Sequence, residues 1–124
     1  MGRLKPETLE RVEAFADRML DVTAALSASK RPLRVIDQMA GCGTSVGANC
    51  YEADEALSRA DFAKIIGIVI KEVNECRFWL RLCIRRDWLP EPRLLPLLSE
   101  AEELKRLFGA VLTRTRRATK AART

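Results

Sequence analysis

Apolar residues recur along this chain in steps of three and four, in four separate stretches. The clearest reads Phe62, Ile66, Val69, Val73, Cys76, Leu80 and Cys83, a spacing that keeps every one of these side chains on one stripe of an α-helix. A first helix over about 6–28 carries Val12, Phe15, Met19, Val22 and Leu26. Pro6 suits its opening turn, where the missing N–H is not needed, and Glu7 complements the helix dipole. After the polar break from Ser27 to Arg31, Pro32 opens a second helix over about 32–57, with Ile36, Met39, Gly43, Val46, Cys50, Ala53 and Leu57 on its stripe. Ser58-Arg59-Ala60-Asp61 reads as a capping box, with Asp where Glu is more usual, and starts a third helix over about 59–87. Trp88-Leu89-Pro90-Glu91-Pro92 stops that helix, since two prolines cannot lie inside one. A fourth helix over about 92–117 carries Leu94, Leu97, Ala101, Leu104, Phe108, Val111 and Thr115. Residues 118–124 are expected as a small, basic, frayed tail.

Strand-like alternation is absent, and connections this short force neighbouring helices antiparallel. The expected fold is therefore all-α: one antiparallel, up-down-up-down four-helix bundle over 1–124. At about 1.5 Å per residue its helices would form a rod roughly 35–40 Å long. With 124 residues, 48% of them hydrophobic, the chain can bury a core without metals or disulfides. No apolar run approaches the roughly 20 residues needed to span a bilayer. The first six residues lack the apolar core of a signal peptide, so no membrane association and a cytoplasmic location are expected. Gly2 could suggest myristoylation, but position 6 is Pro rather than Ser or Thr.

Chemistry narrows the picture mostly by exclusion. There is no histidine, which removes His-based triads, the Glu-x-x-His di-iron motif and His acid–base catalysis. Cys42, Cys50, Cys76 and Cys83 match no Cys-x-x-Cys metal spacing and are expected as buried, reduced thiols. Gly41, Gly43 and Gly47 fall inside the second helix, where each costs about 1 kcal/mol relative to Ala. A phosphate-cradling loop would need a Gly-Lys-Ser/Thr, which the chain lacks here. Close packing is the better reading, since Gly43 and Gly47 are four apart with Ala40 and Ala48 beside them.

The third helix has a second apolar stripe, Ile65, Ile68, Trp79 and Leu82, interrupted by Glu72 and Glu75. A helix apolar on two faces buries more than a lone bundle requires, and self-association would cover the surplus. The polar interruption has three readings: a solvated patch, a buried network with Asn49 and Glu52, or a catalytic carboxylate pair. Lys71 and Glu75 are also spaced to pair. Nothing supplies an adjacent nucleophile, metal ligand or cofactor motif, so no enzyme, no catalytic residue and no cofactor are expected. The candidate oligomer and polar-network residues are Gly43, Gly47, Asn49, Glu52, Lys71, Glu72, Glu75 and Trp79.

Net charge is +5, unevenly placed. Residues 104–124 hold seven Lys or Arg and no Asp or Glu, whereas residues 1–103 hold 15 basic and 17 acidic residues. Arg106, Arg114, Arg116, Arg117 and Lys120 are the candidate nucleic-acid-binding residues, with salt-sensitive affinity. The alternative is a solvated helix terminus, whose dipole also favours cations. Arg81, Arg85 and Arg86 would add to this patch only if the fold brings the two groups together, which spacing leaves open.

Taken together, Gly43-Thr44-Ser45-Val46-Gly47-Ala48-Asn49, Glu52-Ala53, Ser58-Arg59-Ala60-Asp61-Phe62, Lys64, Ile68, Lys71-Glu72, Glu75 and Trp79-Leu80-Arg81-Leu82 resemble a known signature. It is that of bacterial four-helix-bundle proteins first noted in intervening sequences of large-subunit ribosomal RNA genes. The resemblance covers about 43–82. It implies a cytosolic antiparallel bundle, commonly a homopentamer, with no established enzymatic activity. A related branch comprises accessory proteins of diversity-generating retroelements, barrel-like pentamers that bind nucleic acid and a reverse transcriptase. Arg77-Phe78-Trp79-Leu80-Arg81 is similar to that branch. Five copies would gather any basic patch into a ring and raise phosphate affinity through avidity. The expected function is a self-assembling, non-enzymatic bundle that binds RNA or DNA weakly and without sequence specificity through its basic C-terminal helix. The alternative is an oligomeric scaffold for a protein partner, with no nucleic-acid role.

Overall fold

The computed structural model describes residues 2–123, and of Arg123 the backbone alone. Its four helices are α1 (Pro6–Ala28), α2 (Leu33–Asp54), α3 (Arg59–Arg85) and α4 (Glu91–Arg123), with no strand among the described residues. The apolar stripes become the core. Val12, Phe15, Met19, Val22 and Leu26 of α1 and the seven stripe residues of α3 are buried in one layer that α2 and α4 complete. Phe15 and Phe108 are the largest fully buried side chains, and truncating either to Ala costs about 3–5 kcal/mol.

Each helix packs along its chain neighbour, and α1 meets α4 over a shorter stretch. That thinner seam is held by Arg11, whose Nη2 and Nε donate to the two carboxylate oxygens of Glu100 at 2.6 and 3.1 Å. The α1–α2 seam is the close one. A Cβ placed at Gly43 would fall 2.6 Å from Met19 Cβ, and one at Gly47 would lie 3.6 Å from the Val12 carbonyl oxygen. Both glycines are buried against α1. Their small surface serves contact inside one chain, which corrects the expectation that it meets a sister copy.

The two ends of the rod are closed differently. At one end α1 and α3 stop in the same way, each on a residue with left-handed backbone: Lys30 (φ 57°) and Asp87 (φ 56°). Arg31 N–H donates to Leu26 O and Trp88 N–H to Cys83 O, both at 3.0 Å. These are paired Schellman turns with Lys and Asp where glycine is usual. The turns touch, with the Arg31 guanidinium 5.7 Å over the Trp88 ring. At the other end the amino-terminal segment is pinned to the close of α2. Leu4 N–H donates to Asp54 Oδ1 at 2.7 Å, Arg3 N–H to Asp54 O at 3.2 Å, and Arg3 Nε to Ala56 O at 2.8 Å. Ser58 Oγ accepts from Asp61 N–H at 3.0 Å and caps α3.

The bounds of three helices differ from the sequence reading. α2 ends at Asp54 rather than 57, because the chain must extend to set Ser58 as the cap of α3; Leu57 is 96% exposed and leaves the core stripe. α3 ends at Arg85 rather than 87, because Asp87 has turned left-handed. α4 begins at Glu91 and continues as helix to Arg123 instead of fraying after 117. Alanine, arginine and lysine favour helix there and outweigh the threonines, whose hydroxyls at Thr113, Thr115 and Thr119 donate to the carbonyls four residues back. Thr124, the last residue of the expected tail, lies outside the described residues. Pro96 sits inside α4 at an exposed position, where the unmet carbonyl can meet water.

Candidate nucleic-acid interface

The 33 residues of α4 make a helix of about 50 Å, longer than any partner. Phe62, in the first turn of α3, shares a cleft with Arg114 and Thr115. Beyond Thr115 only Ala118 still borders that cleft, so the end of α4 overhangs the bundle, and Arg116, Arg117 and Lys120 are exposed there. At its foot, Arg114 meets two cations from elsewhere in the chain. Arg3, Arg59 and Arg114 line one cleft of about 380 Å³, and Lys5 joins Arg3 and Arg114 in an adjoining cleft of about 300 Å³.

Each cation has a reason to be there. Asp54 and Ala56 pin Arg3, and the Ser58 cap places Arg59 as the first residue of α3. Arg114 sits less than two turns after Phe108, the last fully buried residue of α4. α1 and α3 begin at this end while α2 and α4 close there, so the helix dipoles largely offset one another and the side-chain cations carry the field. Among the described residues Arg59, Arg114, Arg116, Arg117 and Lys120 form no ion pair. Long, exposed, unpaired cations of this kind suit phosphate oxygens. Arg106 does not belong with them: it lies midway along the rod beside Arg77, Glu102 and Lys105. Sequence reasoning missed Arg3 and Arg59, which no local pattern marks; only the pinned terminus and the α3 cap bring them to Arg114.

Of the three readings of the polar group on α3, the buried network does not appear as connected bonds among the described residues. Asn49 Nδ2 donates to Ser45 O within its own helix at 2.9 Å, and Trp79 Nε1 donates to Glu75 Oε2 at 3.3 Å. Glu52 and Lys71 are exposed, and among the described residues no hydrogen bond or ion pair links α2 to Glu72 or Glu75, nor Lys71 to Glu75. The Glu72 carboxyl is held above its ordinary pKa by burial first and by the neighbouring Glu75 charge second, with Lys71 opposing. No cluster of three or more metal-ligating side chains exists among the described residues.

The four cysteines are free and buried. Burial pushes the thiol pKa of Cys50 up to about 12 and that of Cys83 to about 11. The Cys76 thiol is raised by the neighbouring Cys42 thiol first, then by burial and by the Glu72 and Glu75 charges. Thiolates are thereby suppressed, the opposite of what a cysteine nucleophile needs.

Arg81, Arg85 and Arg86 lie at the opposite end of the rod, on and just beyond the last turns of α3. With Phe78 and Leu82 they line a separate cleft of about 370 Å³. The basic surface is therefore two patches, not one.

No helix among the described residues is long and apolar enough to cross a membrane. Among solved structures, a protein of unknown function from the S23 ribosomal protein family of Bacteroides thetaiotaomicron VPI-5482 is similar, with a TM-score of 0.81 and 30% identity over 85% of this chain and 97% of that one. No curated protein matches. The family described as 23S rRNA-intervening sequence protein matches residues 6–110. The chain belongs to that family. Arg59 lies inside the matched segment, whereas Arg3, Arg114, Arg116, Arg117 and Lys120 lie outside it.

Proposed function

We propose that this member of the family is a non-catalytic, self-assembling cytoplasmic protein that binds RNA or DNA weakly, without sequence specificity, at its overhang end. The observation that carries the proposal is the meeting of Arg3, Arg59 and Arg114 from three separate elements at the foot of the basic overhang. Cations that face solvent without a groove-reading element hold the phosphate backbone and leave base edges unread. Self-assembly is supported by the edge of α3 beside its core stripe, where Ile65, Trp79 and Leu82 are only half-buried and Ile68 is exposed. A ring of five copies, the assembly the resemblance implies, would multiply the phosphate contacts.

Fluorescence anisotropy with labelled duplex RNA tests this. At roughly 50 mM salt, micromolar protein binds, and affinity falls steeply by roughly 200 mM. No binding at the lower salt removes the proposal. Sedimentation as a lone 14.0 kDa particle removes its self-assembly half. The same apolar α3 edge also favours a second reading, an oligomeric scaffold whose basic overhang is incidental. A chain ended at Thr113 separates the two, since a scaffold keeps its protein partner and a phosphate binder at this end loses duplex RNA.

A further inference from the structure

We infer a second nucleic-acid site at the other end of the rod, selective for single strands: an unpaired base stacks on Phe78 while Arg81, Arg85 and Arg86 hold the flanking phosphates. It uses none of the overhang residues and does not depend on binding there.

Phe78 is 57% exposed, an unusual position for a phenyl ring beside so much charge. The ring is set in place before any ligand arrives. Trp79 contacts it edge-to-face, with centroids 5.0 Å apart at 70°, and Trp79 is itself tethered to Glu75. Helical spacing then puts Phe78, Arg81, Leu82 and Arg85 along one face, and with Arg86 they line the cleft of about 370 Å³ without an acidic residue among them. A neighbouring cleft of about 210 Å³ is lined by Arg81 and Arg85 together with Glu91 and Leu95.

The three guanidiniums are unengaged. Among the described residues Arg81, Arg85 and Arg86 make no side-chain hydrogen bond or ion pair, whereas Arg77 on the same helix is tied to Asn74 at 3.0 Å and Glu102 at 3.8 Å. None of them lies over the Phe78 ring; the cation–π contact found among the described residues is Arg31 on Trp88. An open aromatic face beside a row of cations matches the alternation of base and phosphate along a single strand. A duplex keeps its base faces stacked and cannot use the ring. An acidic peptide would satisfy the cations but leave the ring without its planar partner. A second copy related by a twofold axis would bring the same three cations against themselves, and a copy docked head-to-tail on this face is the alternative that sedimentation of Phe78→Ala separates.

The test is anisotropy of the full chain with a fluorescein-labelled oligouridine and with a duplex of equal length. Phe78→Ala weakens single-strand binding about tenfold and leaves duplex binding unchanged, and Phe78→Trp restores it. Arg85→Gln makes the single-strand salt slope shallower by about 0.7. The chain ended at Thr113 keeps this single-strand preference even if overhang binding fails. Unchanged single-strand affinity in Phe78→Ala, or equal loss on both probes, overturns the assignment. So does a Phe78→Ala protein with altered sedimentation and unaltered strand affinity, which would mark a contact between copies. Competition by a Glu- and Phe-rich peptide as strong as by unlabelled strand also overturns it.

Discussion

The two ends of this bundle are both basic but are built on different terms. At the loop end, charge is part of the closure: Lys30 occupies a left-handed position and Arg31 stacks on Trp88. At the overhang end, Arg116, Arg117 and Lys120 ride on a helix that has already left the core. Substitution there changes the field and leaves the packing alone. At the loop end Arg81, Arg85 and Arg86 are as detachable, because their side chains close no turn. The contrast teaches where function can be separated from folding, and it sets the experiments that would break it.

The largest expected effect is on affinity. Replacing Arg114, Arg116, Arg117 and Lys120 by Gln should lower duplex RNA affinity by up to about a thousandfold near 0.1 M salt, with a salt slope shallower by about 3 to 4. Thermal stability should hardly move, since these residues are exposed. Anisotropy and circular dichroism on one preparation check both halves. A large fall in Tm would show that the overhang is part of the folded core after all.

Next is the pin at the overhang end. Asp54→Ala removes the carboxylate that accepts from Leu4 N–H at 2.7 Å, and a hydrogen bond to a charged acceptor is worth about 2 kcal/mol. Denaturant unfolding should show that loss, together with a smaller fall in duplex affinity, because the segment carrying Arg3 keeps only its bonds to the Asp54 and Ala56 carbonyls and is held less firmly beside Arg59 and Arg114. A loss of stability with unchanged affinity would take Arg3 out of the interface.

A stabilising pair at the loop end gives a smaller effect of opposite sign. Lys30 and Asp87 hold left-handed backbone (φ 57° and 56°) that Gly adopts freely, so Lys30→Gly and Asp87→Gly should each gain about 0.5–1 kcal/mol in denaturant unfolding. The twin turns predict similar gains. A loss at position 30 alone would mean that the Lys30 side chain matters to the Arg31–Trp88 contact more than its backbone does.

How much of this was legible beforehand depends on the range of each cause. The stripes of α1 and α3 are local, and every residue of them is buried as the three-four spacing requires. Gly43 and Gly47 announced close packing, but the partner, α1, was a tertiary fact. Leu57 fitted the α2 spacing and still emerged 96% exposed, because the cap at Ser58 and the pin at Asp54 override one apolar position. The candidate interface was half legible. A run of basic residues in α4 is visible in order, whereas Arg3 and Arg59 sit in a stretch of the chain with a slight acidic excess. Arg81, Arg85 and Arg86 were visible as a cluster, but their separation from the overhang depends on which end of the rod each helix reaches.

The smallest effect tests the waist between the two ends. Glu72 lies half-buried beside Glu75 on α3, and its folded pKa is raised, by burial above all. For a carboxyl raised in this way, the stabilising contribution is complete at pH below the ordinary carboxylate range and is lost as pH rises through the folded pKa. At neutral pH the charged Glu72 therefore opposes folding. Glu72→Gln should raise stability there, by less than about 1 kcal/mol given solvent screening, and the gain should vanish on acidification. Melting curves of both proteins across a pH series check this, since a gain that persists in acid would exclude the carboxyl charge as its cause. RNA affinity at both ends should stay unchanged in the same variant. If it shifts, the division of the rod into two binding ends and a non-binding waist fails.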